Sequence, residues 1–152
     1  MNKIFCLISI LFLPHLNTMS QDISLDMIQS ILFKKNNENK IEVWGDGLAR
    51  REFMYAGDLA DAIIWSIKNF NKLPKYMNIG LGVDITINEY YKEAAKVIGF
   101  TGNSKHDETK PVGMVRKLVN TDIQAKLGWS PSTSLEVGLQ KTYEFYLKEI
   151  AK

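Results

Sequence analysis

The sequence predicts an α/β fold, and three observations predict it. Short runs of β type, IEVWG (41–45), YMNIG (76–80) and VRKLV (115–119), alternate with segments whose apolar residues recur at helical spacing. Helix limits are written into the chain, as a Thr86/Glu89 capping box and as glycines at 99 and 128. The 152 residues, 45% apolar and 24% charged, suffice for one compact domain with a real core; they exclude a disordered chain and a multi-span membrane protein.

Each element has a local reason. Residues 1–14 begin with Lys3, continue through a ten-residue apolar run (4–13) and end at Pro14. That pattern suits a signal peptide, although HLNTMSQD offers no small-x-small cleavage site, and the run is too short to span a bilayer. A buried parallel strand reads the same way, as a continuous apolar stretch. A helix is predicted from Ser24 to about Asn36, with Met27, Ile28, Ile31 and Leu32 on one face and Lys34 and Lys35 at its end. The 41–45 strand closes in a Gly-Asp-Gly loop, and REFMY (51–55) is a second extended piece. Gly57-Asp58 opens a helix striped by Leu59, Ile63, Ile67 and Phe70 and broken by Pro74. The 76–80 strand leads through a Gly-x-Gly turn to the capping box, whose helix buries Ile87, Tyr91, Ala94 and Ile98 and stops at Gly99. After the 115–119 run comes a short helix over 122–127. A last helix over 134–150 carries Leu135, Leu139, Tyr143, Tyr146 and Ile150 on one stripe. Ser134 is its N-cap, worth about 1 kcal/mol.

Several chemistries are excluded. The net charge of +2 comes from 19 basic and 17 acidic residues scattered along the chain, with no basic stripe of the kind nucleic-acid binders carry. Cys6 stands alone, and His15 and His106 are far apart, so no disulfide framework or clustered metal site is expected. The glycines never form Gly-x-Gly-x-x-Gly, because Gly45 and Gly47 are followed by Arg50, and Gly80 and Gly82 by Ile85. None of the six tyrosines has a lysine four residues on, which removes the Tyr-x-x-x-Lys proton-transfer pair. No Gly-x-Ser-x-Gly elbow or Walker loop is present. No catalytic residue is assigned.

The most informative stretch is VWGDGLARREF (43–53). A glycine turn after a strand would present Trp44 as a flat platform, with Arg50 and Arg51 downstream. A ring that stacks a base beside guanidinium forks suits a nucleotide. A core tryptophan beside a solvated arginine pair is the alternative, and composition alone favours it.

VWGDGLARREFMYAGDLADAI, NIGLGVDITINEY, KPVGMVRKL and LGWSPSTSLEVGLQKTYEFYL, in that order over residues 41–147, resemble the C-terminal region of the GDP-L-fucose synthase family. That family belongs to the extended short-chain dehydrogenases/reductases. The resemblance implies a small substrate-binding lobe that packs on an NADP-binding Rossmann domain, most of which is missing here. It implies that Trp44 and Arg51 contact the nucleotide, and that Lys34, on the helix before, touches the diphosphate; a solvated helix-end lysine is the alternative for Lys34. Two positions depart from the pattern. The acid inside the family's KPDG is Val112 here, and the family's proton-shuttling histidine is Asp26, an acid of much lower reference pKa. ILFLP (10–14) resembles the NLYGP that follows a Rossmann strand, which makes residues 1–14 a remnant of that sheet and 15–152 the nucleotide-sugar lobe.

The implied function is the GDP-sugar-binding portion of an NADP-dependent epimerase/reductase acting on a GDP-4-keto-6-deoxy-hexose. The chain would be truncated or split from its Rossmann part and inactive alone, with the NADP(H) site largely absent. The implied partners are GDP-sugar and a separate Rossmann chain or a second copy, with no nucleic acid and no metal, in the cytoplasm. The rival readings are a non-catalytic nucleotide-sugar-binding remnant and a small exported protein. Separated from its partner, such a lobe is expected to expose an apolar patch.

Overall fold

The structure is a computed structural model and describes residues 40–149. The expectations for the apolar run 4–13, the 24–36 helix, Asp26 and Lys34 lie outside the described residues. Ten elements follow in order: β1 (Lys40–Trp44), β2 (Arg50–Arg51), α1 (Ala56–Lys68), a 3₁₀ turn (Phe70–Lys72), β3 (Ile85–Thr86), α2 (Ile87–Ile98), β4 (Asn103–Asp107), β5 (Arg116–Lys117), α3 (Asp122–Lys126) and α4 (Leu135–Glu149). Strands and helices alternate, as the α/β reading requires.

Two small sheets carry the lobe. β1 pairs in parallel with β4, Lys40 opposite Asn103 and Trp44 opposite Asp107. β2 lies between β3, antiparallel, and β5, parallel. Period-two alternation points Ile41 and Val43 of β1 inward and Glu42 and Trp44 outward. The inward pair joins Ala49 and the Ile87, Tyr90, Tyr91, Ala94 face of α2 in one core, which Leu135 and Leu139 of α4 close. Phe53 stacks on Tyr90 with ring centres 3.9 Å apart.

The helix limits follow their signals. Glu89 N–H donates to Thr86 Oγ1 at 3.1 Å, Thr86 N–H donates to Glu89 Oε2 at 2.7 Å, and Gly99 ends α2 at φ 69°. At α4, Val137 N–H donates to Ser134 Oγ at 3.3 Å, as the N-cap reading requires. Other expectations need correction. Residues 76–80 form no ladder, and the extended runs at 51–55 and 115–119 shrink to the two-residue strands β2 and β5. β4, NSKHD, is a strand with no apolar alternation at all. Along α1 and the 3₁₀ turn after it, Leu59 and Ile63 are half-buried, whereas Ile64, Phe70 and Ile67, the last at 69%, are exposed. No described helix is long and apolar enough to cross a membrane.

Candidate functional site

The turn after β1 is built to hold Trp44 outward. Gly45 and Gly47 both take positive φ, 72° and 70°, and a side chain on Gly45 would run into Val112 Cγ1. Asn88, in the first turn of α2, holds this turn from below. Its backbone N–H donates to Gly47 O and its amide to Asp46 O, each at 3.0 Å, while its Oδ1 bonds His106 Nε2 at 2.8 Å. His106 is thus part of this support. Trp44 stands 52% exposed, its indole N–H donating to Glu42 Oε1 at 3.1 Å. Lys110 Nζ sits 5.6 Å from the centre of the Trp44 ring, a cation–π contact.

The loop that brings Lys110 there is itself tied down. Asp107 Oδ1 accepts from Thr109 N–H at 3.0 Å and from its hydroxyl at 2.6 Å. Those Thr109 bonds hold the Asp107 carboxyl below its ordinary range. Further on, Val112 O accepts from Arg51 Nη2 at 3.3 Å, and Arg51 Nη1 donates to Arg50 O at 2.7 Å. The 110–113 turn therefore touches both Trp44 and Arg51, two of the three site residues expected from sequence. The third, Lys34, lies outside the described residues.

The neighbouring arginine behaves differently. Arg50 Nε donates to Asp84 Oδ1 at 2.9 Å and Nη2 to Asp84 O at 2.7 Å, so this half-exposed guanidinium is committed to a buried carboxylate. Arg50 and Arg51, placed together beside Trp44 by the sequence, part here: alternation along β2 sends them to opposite faces, and Arg50 is the one tied to Asp84. Lys117, which sequence reasoning did not single out, lies opposite Arg51 in the parallel β2–β5 register and is exposed. Its signal was a second dibasic pair, Arg116-Lys117, matching Arg50-Arg51.

Another concave surface among the described residues is an open depression of about 330 Å³ lined largely by Phe53, Tyr55, Tyr90, Leu135 and Leu139. Burial pushes the Tyr90 phenol up to about 12, so it stays neutral and inert at ordinary pH. Glu52, at the rim, accepts Gly82 N–H at 2.8 Å and Val119 N–H at 2.9 Å. No chemistry is assembled there. Neither Gly-x-Gly turn suits a dinucleotide pyrophosphate. The amides of Gly45, Leu48, Gly80 and Gly82 donate to Asp107 O, Asp46 Oδ1, Gln124 Oε1 and Glu52 Oε1 respectively, and Asn88 fills the space over Gly47. These two turns therefore leave none of those four amides free for a pyrophosphate. The described residues also contain no group of three His, Cys, Asp or Glu that could hold a metal ion.

Residues 7–80 match the NAD dependent epimerase/dehydratase family. The chain is 50% identical over 115 residues to a GDP-L-colitose synthase of Yersinia pseudotuberculosis, covering 76% of this chain and 37% of that protein. It is 44% identical over 107 residues to a GDP-L-fucose synthase of Azorhizobium caulinodans, covering 70% and 34%. A GDP-mannoheptose C4 reductase from Campylobacter jejuni, solved with NADP bound, superposes with a TM-score of 0.69 at 27% identity over 82% of this chain and 44% of the other. The chain is homologous to part of the extended short-chain dehydrogenases/reductases of the NAD-dependent epimerase/dehydratase family. Within that family it is similar to the GDP-L-fucose and GDP-L-colitose synthases. It spans about a third of the length of these curated relatives.

Proposed function

We propose that this lobe binds the nucleoside diphosphate end of a GDP-sugar: Trp44 stacks the base or ribose, and Arg51 holds phosphate oxygens. The observation that carries the reading is the 110–113 turn, which joins an exposed indole to a guanidinium with three of its five N–H donors beyond the two used in internal bonds. Lys117 beside Arg51 and Lys110 over Trp44 add positive charge where a diphosphate would lie. Lys34 joins the phosphate contacts by the resemblance. Holding the nucleotide handle orients a reactive sugar against a reductant. Val112 supplies no carboxylate where the resembling proteins carry an acid, so the sugar contacts differ there.

In this reading residues 1–14 are a strand of the Rossmann sheet, residues 15–152 are the nucleotide-sugar lobe, and the protein works in the cytoplasm. Epimerisation and NADPH-dependent reduction are the chemistry of the whole assembly. The Gly-x-Gly-x-x-Gly fingerprint and the Tyr-x-x-x-Lys pair are not in this sequence, so the chain alone binds without turnover. A second reading, in which the lobe completes a separate NADP-binding chain or a second copy, is favoured by the exposed Ile64, Ile67 and Phe70 of the α1 region.

Calorimetric titration with GDP tests the binding. One or two charge-assisted hydrogen bonds are worth about 3 kcal/mol, so Arg51→Ala is expected to weaken GDP roughly 100-fold. Equal affinity for GDP in wild type and variant removes Arg51 from the site. Oxidation of NADPH by this chain alone with a GDP-4-keto-6-deoxy sugar would refute the binding-only reading.

A further inference from the structure

The two dibasic pairs lie side by side. Arg50 stands opposite Arg116 and Arg51 opposite Lys117 in the parallel β2–β5 ladder. Alternation gives the ribbon two faces, one bearing Arg50 and Arg116 and the other Arg51 and Lys117. The ladder is only two residues long, with one further backbone bond, Arg50 N–H to Val115 O at 2.8 Å. So short a ladder is a weak constraint on the spacing of two like charges, which repel one another.

On the first face a single carboxylate supplies the missing constraint. Asp84, its side chain 2% exposed, accepts Arg50 Nε on Oδ1 and Arg116 Nε on Oδ2, with Arg116 Nη2 3.4 Å from Oδ1. Its backbone carbonyl takes Arg50 Nη2 as well. Bridging guanidiniums from two strands fixes both the separation and the twist of the ribbon. It also neutralises part of the charge on that face, so that Arg50 and Arg116, though partly exposed, are both committed to Asp84. Glu52 makes the next tie along the same edge, through Val119 N–H.

We propose that Asp84 is a positioning residue for the anion site. By clamping Arg50 to Arg116 it sets the distance and direction of Arg51 and Lys117 on the opposite face, so that both cations engage one diphosphate. This inference rests on the reading that the Trp44/Arg51 surface binds a nucleoside diphosphate.

Asp84→Asn tests it, with GDP and guanosine titrated against the full chain. Wild type must first bind GDP more tightly than guanosine; equal affinities defeat the underlying reading, not the role of Asp84. Given that difference, Asp84→Asn is expected to lose about tenfold in GDP affinity while guanosine stays within about twofold, because only phosphate contacts are charge-assisted. Asp58→Ala, which weakens the lobe through Ser132 and Thr133 and not through the ribbon's own bonds, controls for general instability and leaves the GDP-to-guanosine ratio at the wild-type value. Should Asp84→Asn fail to fold, Arg116→Lys keeps the charge but not the fork and gives a smaller drop in the ratio. A wild-type ratio in whichever of these variants folds, or an equal fall in Asp58→Ala, overturns the proposal.

Discussion

Removing the carboxylate of Asp58 isolates the tie between α1 and the segment that leads into α4. Asp58 lies buried in the first turn of α1 and accepts Thr133 N–H at 3.0 Å, Thr133 Oγ1 at 2.8 Å and Ser132 Oγ at 3.3 Å, all just before α4. Hydrogen bonds to a charged group contribute about 1.5–3 kcal/mol each, which puts the two shorter ones at about 3–6 kcal/mol. Part of that returns in Asp58→Ala, since Ser132 is exposed and Thr133 half-buried, and alanine favours the helix by several tenths of a kcal/mol. The net loss expected is about 2–4 kcal/mol, a fall in Tm of roughly 10–20 °C for a domain of this size. Urea and thermal unfolding followed by circular dichroism measure it, with an unchanged m-value as the sign that stability alone has moved. Asp58→Asn is expected to recover less than half, because its amide sets a donor against one already there. A loss in Asp58→Ala below about 0.5 kcal/mol, the range of ordinary surface changes, refutes the assignment of this carboxylate as the tie.

Two further outcomes follow from buried polar groups. Gln124, 2% exposed, accepts Gly80 N–H at 3.0 Å and donates to Gly80 O at 2.8 Å, so Gln124→Leu leaves two buried backbone groups unpaired and is expected to cost about 2–5 kcal/mol in the same unfolding assay. Acid dependence has a definite sign. Burial pushes the Asp58 carboxyl up, but the Thr133 and Ser132 bonds outweigh it and leave it low, while Arg116 and Arg50 hold Asp84 low. Carboxyls lowered in the folded state stabilise fully above their unfolded values of about 4, and that stability is lost as pH falls through the folded values. Tm should be flat above about pH 5 and fall steeply below pH 4, with a shallower fall in Asp84→Asn. A Tm independent of pH between 3 and 5, roughly the carboxylate range, contradicts the assigned bonds.

What could be read from the chain was what local chemistry decides. The Thr86/Glu89 box, the Gly99 stop, the Ser134 cap and the β-type run at 41–45 are each set by residues close to one another in sequence. Residues 103–107 escaped detection because an edge strand needs only backbone partners, and its side chains, facing water, carry no pattern. Residues 76–80 misled in the opposite direction. Their extended backbone is held by side chains, Gln124 at Gly80 and Asn78 to Asn120 O at 3.3 Å, instead of a neighbouring strand. The same limit applied to the site. Trp44 and Arg51 are candidates by their motif alone, but Arg50's separate fate depends on Asp84, 34 positions away in sequence.

The long-range ties also set a timetable for synthesis. Glu52 finds its second partner, Val119 N–H, 67 residues later, Asp61 meets the Trp129 indole N–H 68 later and Asp58 meets Thr133 75 later. At synthesis rates of about 5–20 residues per second, β2 and α1 leave the ribosome seconds before the groups that complete them. Throughout that interval Arg51 has neither Val112 beneath it nor Lys117 beside it. If Arg51 and Lys117 form the proposed anion site, a ribosome-bound chain ending before residue 112 does not yet offer it, and ligand assists only the last stage of folding, once β5 has docked.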